Sequence, residues 1–313
     1  MSGWSAGMSN DSIEVIGTAR IQHGRANDRV YIMEAGSEEP SVLIAGADTL
    51  ASRHSYGKLF AKVPAGRAAA FFAAGWRLEA FVPGLFSCQA AGPEGASGPE
   101  HDADAEDGFF VVKYLDSKRE RLREEPEQIK LMERFAGLLQ SVIPGASKPM
   151  PRSFVIRPCT QEDAPVMAEV FAEVFSSYPF PVDDPGFVRE TMAEGTDYFC
   201  VELQSGSKKG TGGGLIALSS AERNDSHGYA EMTDFAVLPN YRGLGISGVL
   251  LRAMEGSAKE KGIRTAFTIA RLHSAGMNAT FLKAGYSYGG TLFANTSMPE
   301  GLESMNVLYK KLQ

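Results

Sequence analysis

The sequence predicts an α/β protein made of two domains, and three observations lead to this class. After residue 152, apolar segments of strand length alternate with amphipathic segments of helix length. An Arg-Gly-x-Gly turn at 242–245 joins one such strand to one such helix. A stretch rich in glycine and proline at 144–151 interrupts a chain of 313 residues, which is long enough for two cores.

The predicted first domain is an α/β unit that covers residues 1–145, and residues 146–151 form the predicted linker. Its strands are apolar runs, its loop is polar, and its last helix carries dense charge before apolar residues at helical spacing. In chain order the elements are strand 59–64, a helix ending near Trp76, loop 87–107, strand 109–115 and helix 116–140.

The predicted second domain covers residues 152–313. Thr160 is the expected N-cap of its first helix, and Gly262 ends the helix that begins at Leu244. In chain order the elements are strand 153–158, helix 161–177, loop 178–185, a short helix ending near Gly195, strands 197–203, 212–220 and 228–237, helix 244–262, strand 264–270, helix 274–284 and two closing strands.

The two halves resemble each other in sequence. The run Leu59–Trp76 parallels Ala266–Tyr286, and strand-like sequence follows each run. We therefore hypothesise that the first domain is a degenerate relative of the closing part of the second. The alternative is a coincidence between two strand–helix–strand units. The first domain has no Arg-Gly-x-Gly turn, so we do not expect it to bind the ligand of the second domain.

Composition narrows the class of protein. A net charge of −7 argues against binding to a nucleic-acid backbone and is compatible with a small cationic substrate, although it also simply favours solubility. No basic start precedes a long apolar run and no stretch would span a bilayer, so we expect a cytoplasmic protein. The odd set Cys88, Cys159 and Cys200 lacks metal spacing and indicates small apolar residues rather than a disulfide framework or a metal site.

The run Thr233–Ser247 carries the strongest functional signal. An apolar strand ends at Pro239, and the glycine turn then opens an amphipathic helix. Backbone N–H groups at such a helix start have no helical acceptors, and the helix dipole favours an anion there. The patterns of a nucleotide P-loop and of Gly-x-Gly-x-x-Gly are both missing from this turn. The run therefore predicts a site for a phosphorylated cofactor.

The sequence Arg242-Gly-Leu-Gly-Ile-Ser247 resembles the acetyl-CoA loop of the GNAT N-acetyltransferases, whose pattern is Arg/Gln-x-x-Gly-x-Gly/Ala. Ser247 departs from the last position, but serine is small enough to keep the backbone close to a diphosphate. The order of elements over 152–313 also matches this family. The resemblance implies a mixed, mostly antiparallel twisted sheet flanked by helices, with acetyl-CoA as cosubstrate and no metal.

The resemblance also implies which residues meet the cofactor. The pantetheine arm would pair with the strand that precedes the glycine turn, and one face of the helix 274–284 would meet the cofactor. Phe281 stands where the family commonly has a tyrosine that protonates the thiolate, so the proton donor stays open among water, Tyr286 and Tyr288. The implied cofactor contacts are Phe235, Ala236, Val237, Arg242, Gly243, Leu244, Gly245, Ile246, Ser247, Ser274, Asn278 and Phe281.

Glu231 is the candidate general base, because some members of the family carry a glutamate at this place. A regular strand would put Glu231 and Phe235 on the same face. A bulge would free the backbone N–H near Phe235 to bind the thioester oxygen. Asp234 would then be the reserve base or a residue that binds a substrate ammonium.

Residues 21–32 and 285–310 resemble the beta-lysine N-acetyltransferases within this family. This resemblance implies acetylation of the side-chain amine of beta-lysine, supplied by a lysine 2,3-aminomutase, and leaves a homodimer open. Two alternatives are an acetyltransferase for another small amine, such as a polyamine or amino acid, and a non-catalytic acyl-CoA sensor. His23 and Arg29 are read as structural. The candidate substrate contacts are Asp234, Tyr178, Glu303 and Asn306, with Asp183, Asp184 and Phe180 as further possibilities.

Overall fold

The computed structural model of the chain describes residues 11–87, 105–146, 153–176, 178, 180–203, 214–298 and 301–312. Three predicted features fall outside the described residues. They are Cys88, most of the polar loop at 87–107, and the linker at 146–151 apart from Ala146.

In the first half, the predicted strands 59–64 and 109–115 and the helix between them are present, but the predicted helix 116–140 is divided into two helices. The described strands are β1 (Ser12–Ile16), β2 (Ala19–Gly24), β3 (Arg29–Glu34), β4 (Lys58–Pro64), β5 (Arg77–Ser87) and β6 (Ala105–Tyr114). The described helices are α1 (Pro40–His54), α2 (Ala65–Ala73), α3 (Ser117–Arg121) and α4 (Pro126–Ser141).

In the second half, the elements follow the predicted order. A capping box at Thr160 starts the first helical segment, as predicted. The described strands are β7 (Phe154–Pro158), β8 (Thr196–Leu203), β9 (Leu215–Asn224), β10 (Tyr229–Val237), β11 (Thr265–Arg271), β12 (Ser287–Met298) and β13 (Gly301–Lys311). The described helices are α5 (Ala164–Val174), α6 (Pro185–Ala193), α7 (Ile246–Glu260) and α8 (Ala275–Lys283).

All thirteen described strands form one sheet, in the order β1-β2-β3-β4-β6-β5-β12-β13-β11-β10-β9-β8-β7. Each half contributes one parallel pair, β3 with β4 and β10 with β11, and the other pairs are antiparallel. The predicted mixed, mostly antiparallel sheet is thereby confirmed. Counted inward from its outer edge, the first half has the order β1-β2-β3-β4-β6-β5. The second half, counted inward from β8, has the equivalent order β8-β9-β10-β11-β13-β12, and β7 is an additional edge strand. A shared ancestry of the two halves requires this agreement.

The halves share a core rather than standing apart on a linker. β5 pairs with β12 at Ala80 and Gly290, which makes the sheet continuous. The sheet also curls. The ring centroid of Phe110 in β6 lies 5.9 Å from that of Phe267 in β11, although three strands separate β6 from β11 in the sheet. Helix α4 packs on the second half, where the ring of Phe135 lies 5.1 Å from that of Tyr288. Because these contacts join the two halves, the predicted domain boundary at residue 145 stays a prediction.

Three buried cations of the first half bind an irregular part of β12, where Ala294 has a φ of 44°. Lys58 Nζ donates to the carbonyl of Phe293 at 2.7 Å. Arg119 Nη2 donates to the carbonyl of Ala294 at 2.8 Å, and Arg29 Nη1 donates to that of Asn295 at 2.6 Å. We call Arg29, Lys58 and Arg119 the carbonyl clamp. They satisfy backbone acceptors that the strand ladder leaves unpaired.

Candidate active site

A β-bulge interrupts β10 in the middle of the second half. Thr233 pairs with Ser220 of β9 and Ala236 pairs with Leu218, so the pair Asp234 and Phe235 has no register partner there. Asp234 has a φ of 53°, which is unusual for a residue other than glycine. The extra residue reverses the faces beyond the bulge.

The expected bulge near Phe235 is present, and because of it the regular-strand prediction that Glu231 and Phe235 share a face is wrong. Before it, Glu231 and Thr233 lie opposite Ala230 and Met232, which pack in the core beneath α7. Beyond it, Phe235 packs against that same core, so it lies on the α7 side. Glu231 instead faces the first half of the chain.

β10 and β11 separate at the bulge. Both strands are fully described, and they pair only over Tyr229–Glu231. From Met232 onward β10 therefore has an open edge toward β11, and a cleft of about 1200 Å³ lies there. Residues of α7 and α8 line it on one side, and Phe175, Tyr178 and Thr233 line it on the other. The cleft thus crosses the sheet, and an extended chain could lie along the open strand edge.

The glycine turn lies at one end of this cleft. Gly243 and Gly245 have φ values of 78° and 80°, a conformation that glycine adopts without strain. This turn delays the predicted helix start at Leu244, so that α7 begins at Ile246. The Nε of Arg242 donates to the Val237 carbonyl at 3.1 Å and ties the turn to β10.

The amides of this turn are suited to an anion. No described carbonyl accepts the backbone N–H groups of Leu244, Gly245, Ile246 or Ser247. They lie at the positive end of the 15-residue helix α7. Gly245, Ile246 and Ser247 line the cleft, whereas Leu244 points to solvent with 39% of its surface exposed.

Ser274, the N-cap of helix α8, and Phe281 within that helix line the cleft. The Phe281 ring packs edge-on against Phe235 at 5.6 Å and against Tyr286 at 5.0 Å. Tyr286 lies beneath Phe281, and Tyr288 hydrogen-bonds Thr291 at 2.6 Å. Neither tyrosine lines the cleft, so neither is placed to protonate a thiolate there.

Asn278 and Asn306 do not reach the cleft as ligand contacts. Asn306 Nδ2 donates to Asn278 Oδ1 at 2.9 Å. Asn278 Nδ2 donates to the carbonyls of Arg271 and Ser274, and Asn306 Oδ1 accepts from Thr291 at 2.7 Å. Both amides are fully buried and occupied with each other, so their role is to join α8 to β12 and β13.

Asp234 and Tyr178 meet at the bulge. The Tyr178 hydroxyl donates to one carboxylate oxygen of Asp234, and Ser220 Oγ donates to the other at 2.6 Å. Burial raises the pKa of Asp234 above its usual value, although these hydrogen bonds oppose the rise. The bulge therefore turns Asp234 toward the Glu231 face, where it is held by two hydroxyls.

Glu231 is half-buried and forms no hydrogen bond or ion pair with a described side chain. Its register partners are Glu222 on β9 and Phe267 on β11. Burial raises the pKa of Glu231 to about 7; Lys62 and Arg29 oppose the rise, and Asp234 adds to it. Glu231 does not line the cleft, but Thr233, the next residue on the same face, does.

The other predicted substrate contacts lie elsewhere. Glu303 forms a bidentate ion pair with Arg271 at 2.6 and 2.8 Å, and it is Arg271 that lines the cleft. Asp184 caps α6 and Asp183 is exposed. The ring of Phe180 stacks on Phe187. Ala236 is fully buried on the α5 side of the sheet.

The residues that the sequence analysis missed come mainly from the first half. Lys62, Tyr31 and Arg29 lie close enough to Glu231 to interact with it electrostatically, and Glu222 opposes it across the strand pair. His23 Nδ1 is hydrogen-bonded to the Tyr56 hydroxyl at 3.1 Å, and His23 Nε2 lies 3.1 Å from a carboxylate oxygen of Glu14. These contacts fit a structural histidine. No local pattern marks Lys62, because it stands within an ordinary apolar strand.

Comparisons with known proteins agree with this geometry. Residues 167–286 match the acetyltransferase (GNAT) family. The chain is 32% identical over 303 residues to a beta-lysine N(6)-acetyltransferase of Methanococcus maripaludis, covering 96% of each chain. It is 36% identical over 205 residues to the N-acetyltransferase YodP of Bacillus subtilis, covering 64% of this chain and 69% of YodP. It is 32% identical over 163 residues to a beta-lysine N(6)-acetyltransferase of Methanosarcina mazei, covering 52% of this chain and 57% of that one.

The chain belongs to the GNAT acetyltransferase family, and within it the chain resembles the beta-lysine N(6)-acetyltransferases. It is an acyltransferase that uses acetyl-CoA, as the sequence predicted, rather than a non-catalytic sensor. Among the described residues no cluster of three or more His, Cys, Asp or Glu side chains could hold a metal, and Cys159 and Cys200 are free thiols. No described helix has both the length and the apolar character that a membrane crossing demands.

Replacing Gly245 by Ala is expected to weaken coenzyme A binding about tenfold or more. The φ of 80° would cost alanine about 1–2 kcal/mol, and relaxation of the turn would misdirect its amides. Gly256→Ala is the matched control, because Gly256 lies in the exposed middle of the same helix and an added Cβ meets nothing within 4 Å. Calorimetric titration with coenzyme A measures both variants. Equal affinities would show that the turn does not grip the cofactor.

Proposed function

We propose that this protein transfers the acetyl group of acetyl-CoA to the side-chain amine of beta-lysine and so forms N6-acetyl-beta-lysine, a compatible solute. The alignment with a beta-lysine N(6)-acetyltransferase over 96% of both chains carries this proposal. Supply of the substrate by a lysine 2,3-aminomutase and a cytoplasmic location belong to the same proposal.

The acetyl-CoA contacts follow from the cleft. In this proposal the amides of residues 244–247 bind the diphosphate, and the open edge of β10 at Phe235–Val237 pairs with the pantetheine arm. The backbone N–H at Phe235, released by the bulge, binds the thioester oxygen. Phe281 and Ser274 border the acetyl end. Phe281 has no proton to give, so water supplies the proton that the departing thiolate takes.

Glu231 is the proposed general base. An alkyl ammonium with a pKa of ~10.4 must lose its proton before attack, which costs about 4–5 kcal/mol at neutral pH. A carboxylate whose pKa is about 7 accepts that proton well at physiological pH. Glu222 and Asp234 lie on the same face of the sheet, and together the three carboxyl groups favour an acceptor that carries two amines.

A panel of amines tests the substrate. With purified protein and acetyl-CoA, we expect thiol release with beta-lysine at a kcat/KM at least about tenfold above that with alpha-lysine or spermidine. Proton NMR of the product would show acetylation at N6. Equal or faster turnover of spermidine would replace beta-lysine by a polyamine as the substrate.

A further inference from the structure

Lys62 of β4 is a buried cation without an ion-pair partner. Lys62 is 7% exposed, and its ammonium forms no ion pair within 4.0 Å with a described carboxylate. Its Nζ lies 4.4 Å from the ring centroid of Tyr229 and 5.0 Å from that of Phe267. A buried ammonium is costly unless other groups compensate its charge. Tyr229, Tyr31 and the Glu231 carboxyl group supply this compensation.

The two rings locate this ammonium beside Glu231. Tyr229 precedes Glu231 by two residues on the same face of β10, and Phe267 is the register partner of Glu231 on β11. Side chains related in these two ways are direct neighbours on a sheet. The Lys62 ammonium therefore caps the patch of sheet from which the Glu231 carboxylate projects.

The surroundings of Glu231 are otherwise rich in carboxyl groups. Burial, Glu231 and Asp234 all raise the pKa of Glu222 well above its usual value, and Lys62 and Arg20 lower it. Burial by itself would lower the pKa of Lys62, but Tyr229, Tyr31 and Glu231 raise it above its usual value. The titratable and charged groups that face Glu231 are Lys62, Arg29, Glu222, Asp234, Tyr31 and Tyr229.

We propose that Lys62 is a positioning residue of the acetyl-acceptor site, contributed by the first half of the chain, which keeps the Glu231 carboxylate ionised and directed at the incoming amine. This proposal rests on the proposed function, in which Glu231 is the base. It gives the first half a task in the reaction although that half lacks the glycine turn. Without the Lys62 charge, the carboxyl groups of Glu231 and Glu222 would hold their protons more tightly.

Neutralising Lys62 tests this role. In Lys62→Met we expect the acid limb of the pH profile of kcat/KM to move upward by about 1–2 pH units, because an opposite charge close to a buried carboxyl shifts its pKa by that amount. Turnover at pH 7 then falls about tenfold and recovers near pH 9. Lys62→Arg keeps the charge and should keep the limb close to its wild-type position. Lys113→Met is the matched control, since Lys113 pairs with Asp48 of α1 at 3.1 Å.

A second measurement does not depend on turnover. The Glu231 carboxyl carbon can be followed by ¹³C NMR in glutamate-labelled protein, with Glu231→Gln to assign its resonance. We expect its titration to move upward in Lys62→Met and in Lys62→Gln, whether or not beta-lysine is the substrate. An unchanged Glu231 titration in a folded neutral variant would overturn the role of Lys62, as would a wild-type pKa above 9. Failure of every amine in the panel would instead reject the proposed function and leave this titration interpretable.

Discussion

Glu231→Gln is expected to lower kcat by about 10²–10³-fold while the affinity for acetyl-CoA stays the same. Glutamine keeps the size of the side chain but cannot accept a proton, and a general base contributes about this factor. The cofactor affinity is expected to survive because Glu231 does not line the cleft. Single-turnover kinetics and calorimetric titration with coenzyme A measure the two quantities separately.

The pH dependence of the rate gives a second test of Glu231 as the base. Because the pKa of Glu231 is raised to about 7, the base is protonated below that pH and the wild-type rate should rise with pH through 7. Glu231→Gln should lack that limb. The exposed Glu173 of α5 offers a matched control, since Glu173→Gln leaves the site untouched. A wild-type rate in Glu231→Gln would move the role of base to Asp234, which the bulge turns toward the same face.

Arg119→Met is expected to lower the free energy of unfolding by about 3–5 kcal/mol. Arg119 is 3% exposed, and its guanidinium donates to the carbonyls of Ala294 and Asn27 at 2.8 and 3.1 Å. Methionine would fill much of the space but leave these buried acceptors without donors. Urea denaturation followed by circular dichroism measures the loss.

Arg123→Met serves as the comparison for Arg119→Met. Arg123 lies between α3 and α4, is about one third exposed and lies 3.8 Å from Glu120. Its replacement should therefore lower the free energy of unfolding by less than about 1 kcal/mol. A similar small loss for Arg119→Met would mean that the carbonyl clamp does not hold the two halves together and that apolar contacts alone do.

Much of the second half could be predicted from sequence because its signals are local. Strand periodicity, the Thr160 cap and the glycines at 243 and 245 each depend on a few consecutive residues. These signals placed the elements within a few residues and led to the family. The faces of the strand after Glu231 were harder to predict. The family resemblance indicated a bulge near Phe235, but the local pattern does not show that it reverses the faces beyond it.

The rest depended on contacts between distant parts of the chain. Asn278 has the spacing of a cofactor contact, yet Asn306, 28 residues later, occupies its amide. Lys62 reaches the rings of Tyr229 and Phe267 only because the sheet curls upon itself. Neither fact can be read from spacing along one helix or strand. The continuous sheet was not predicted for the same reason, since the pairing of β5 with β12 has no local signature.

The continuous sheet has a consequence for how this chain can be shortened. β5 covers the side of β12 that would otherwise present open backbone groups, and the apolar rings around Phe110 cover Phe267. The second half without the first would expose an unpaired strand edge and an apolar surface to neighbouring molecules. The first half thus shields these backbone groups and rings from other molecules, and we expect any shortened form of the enzyme to need it.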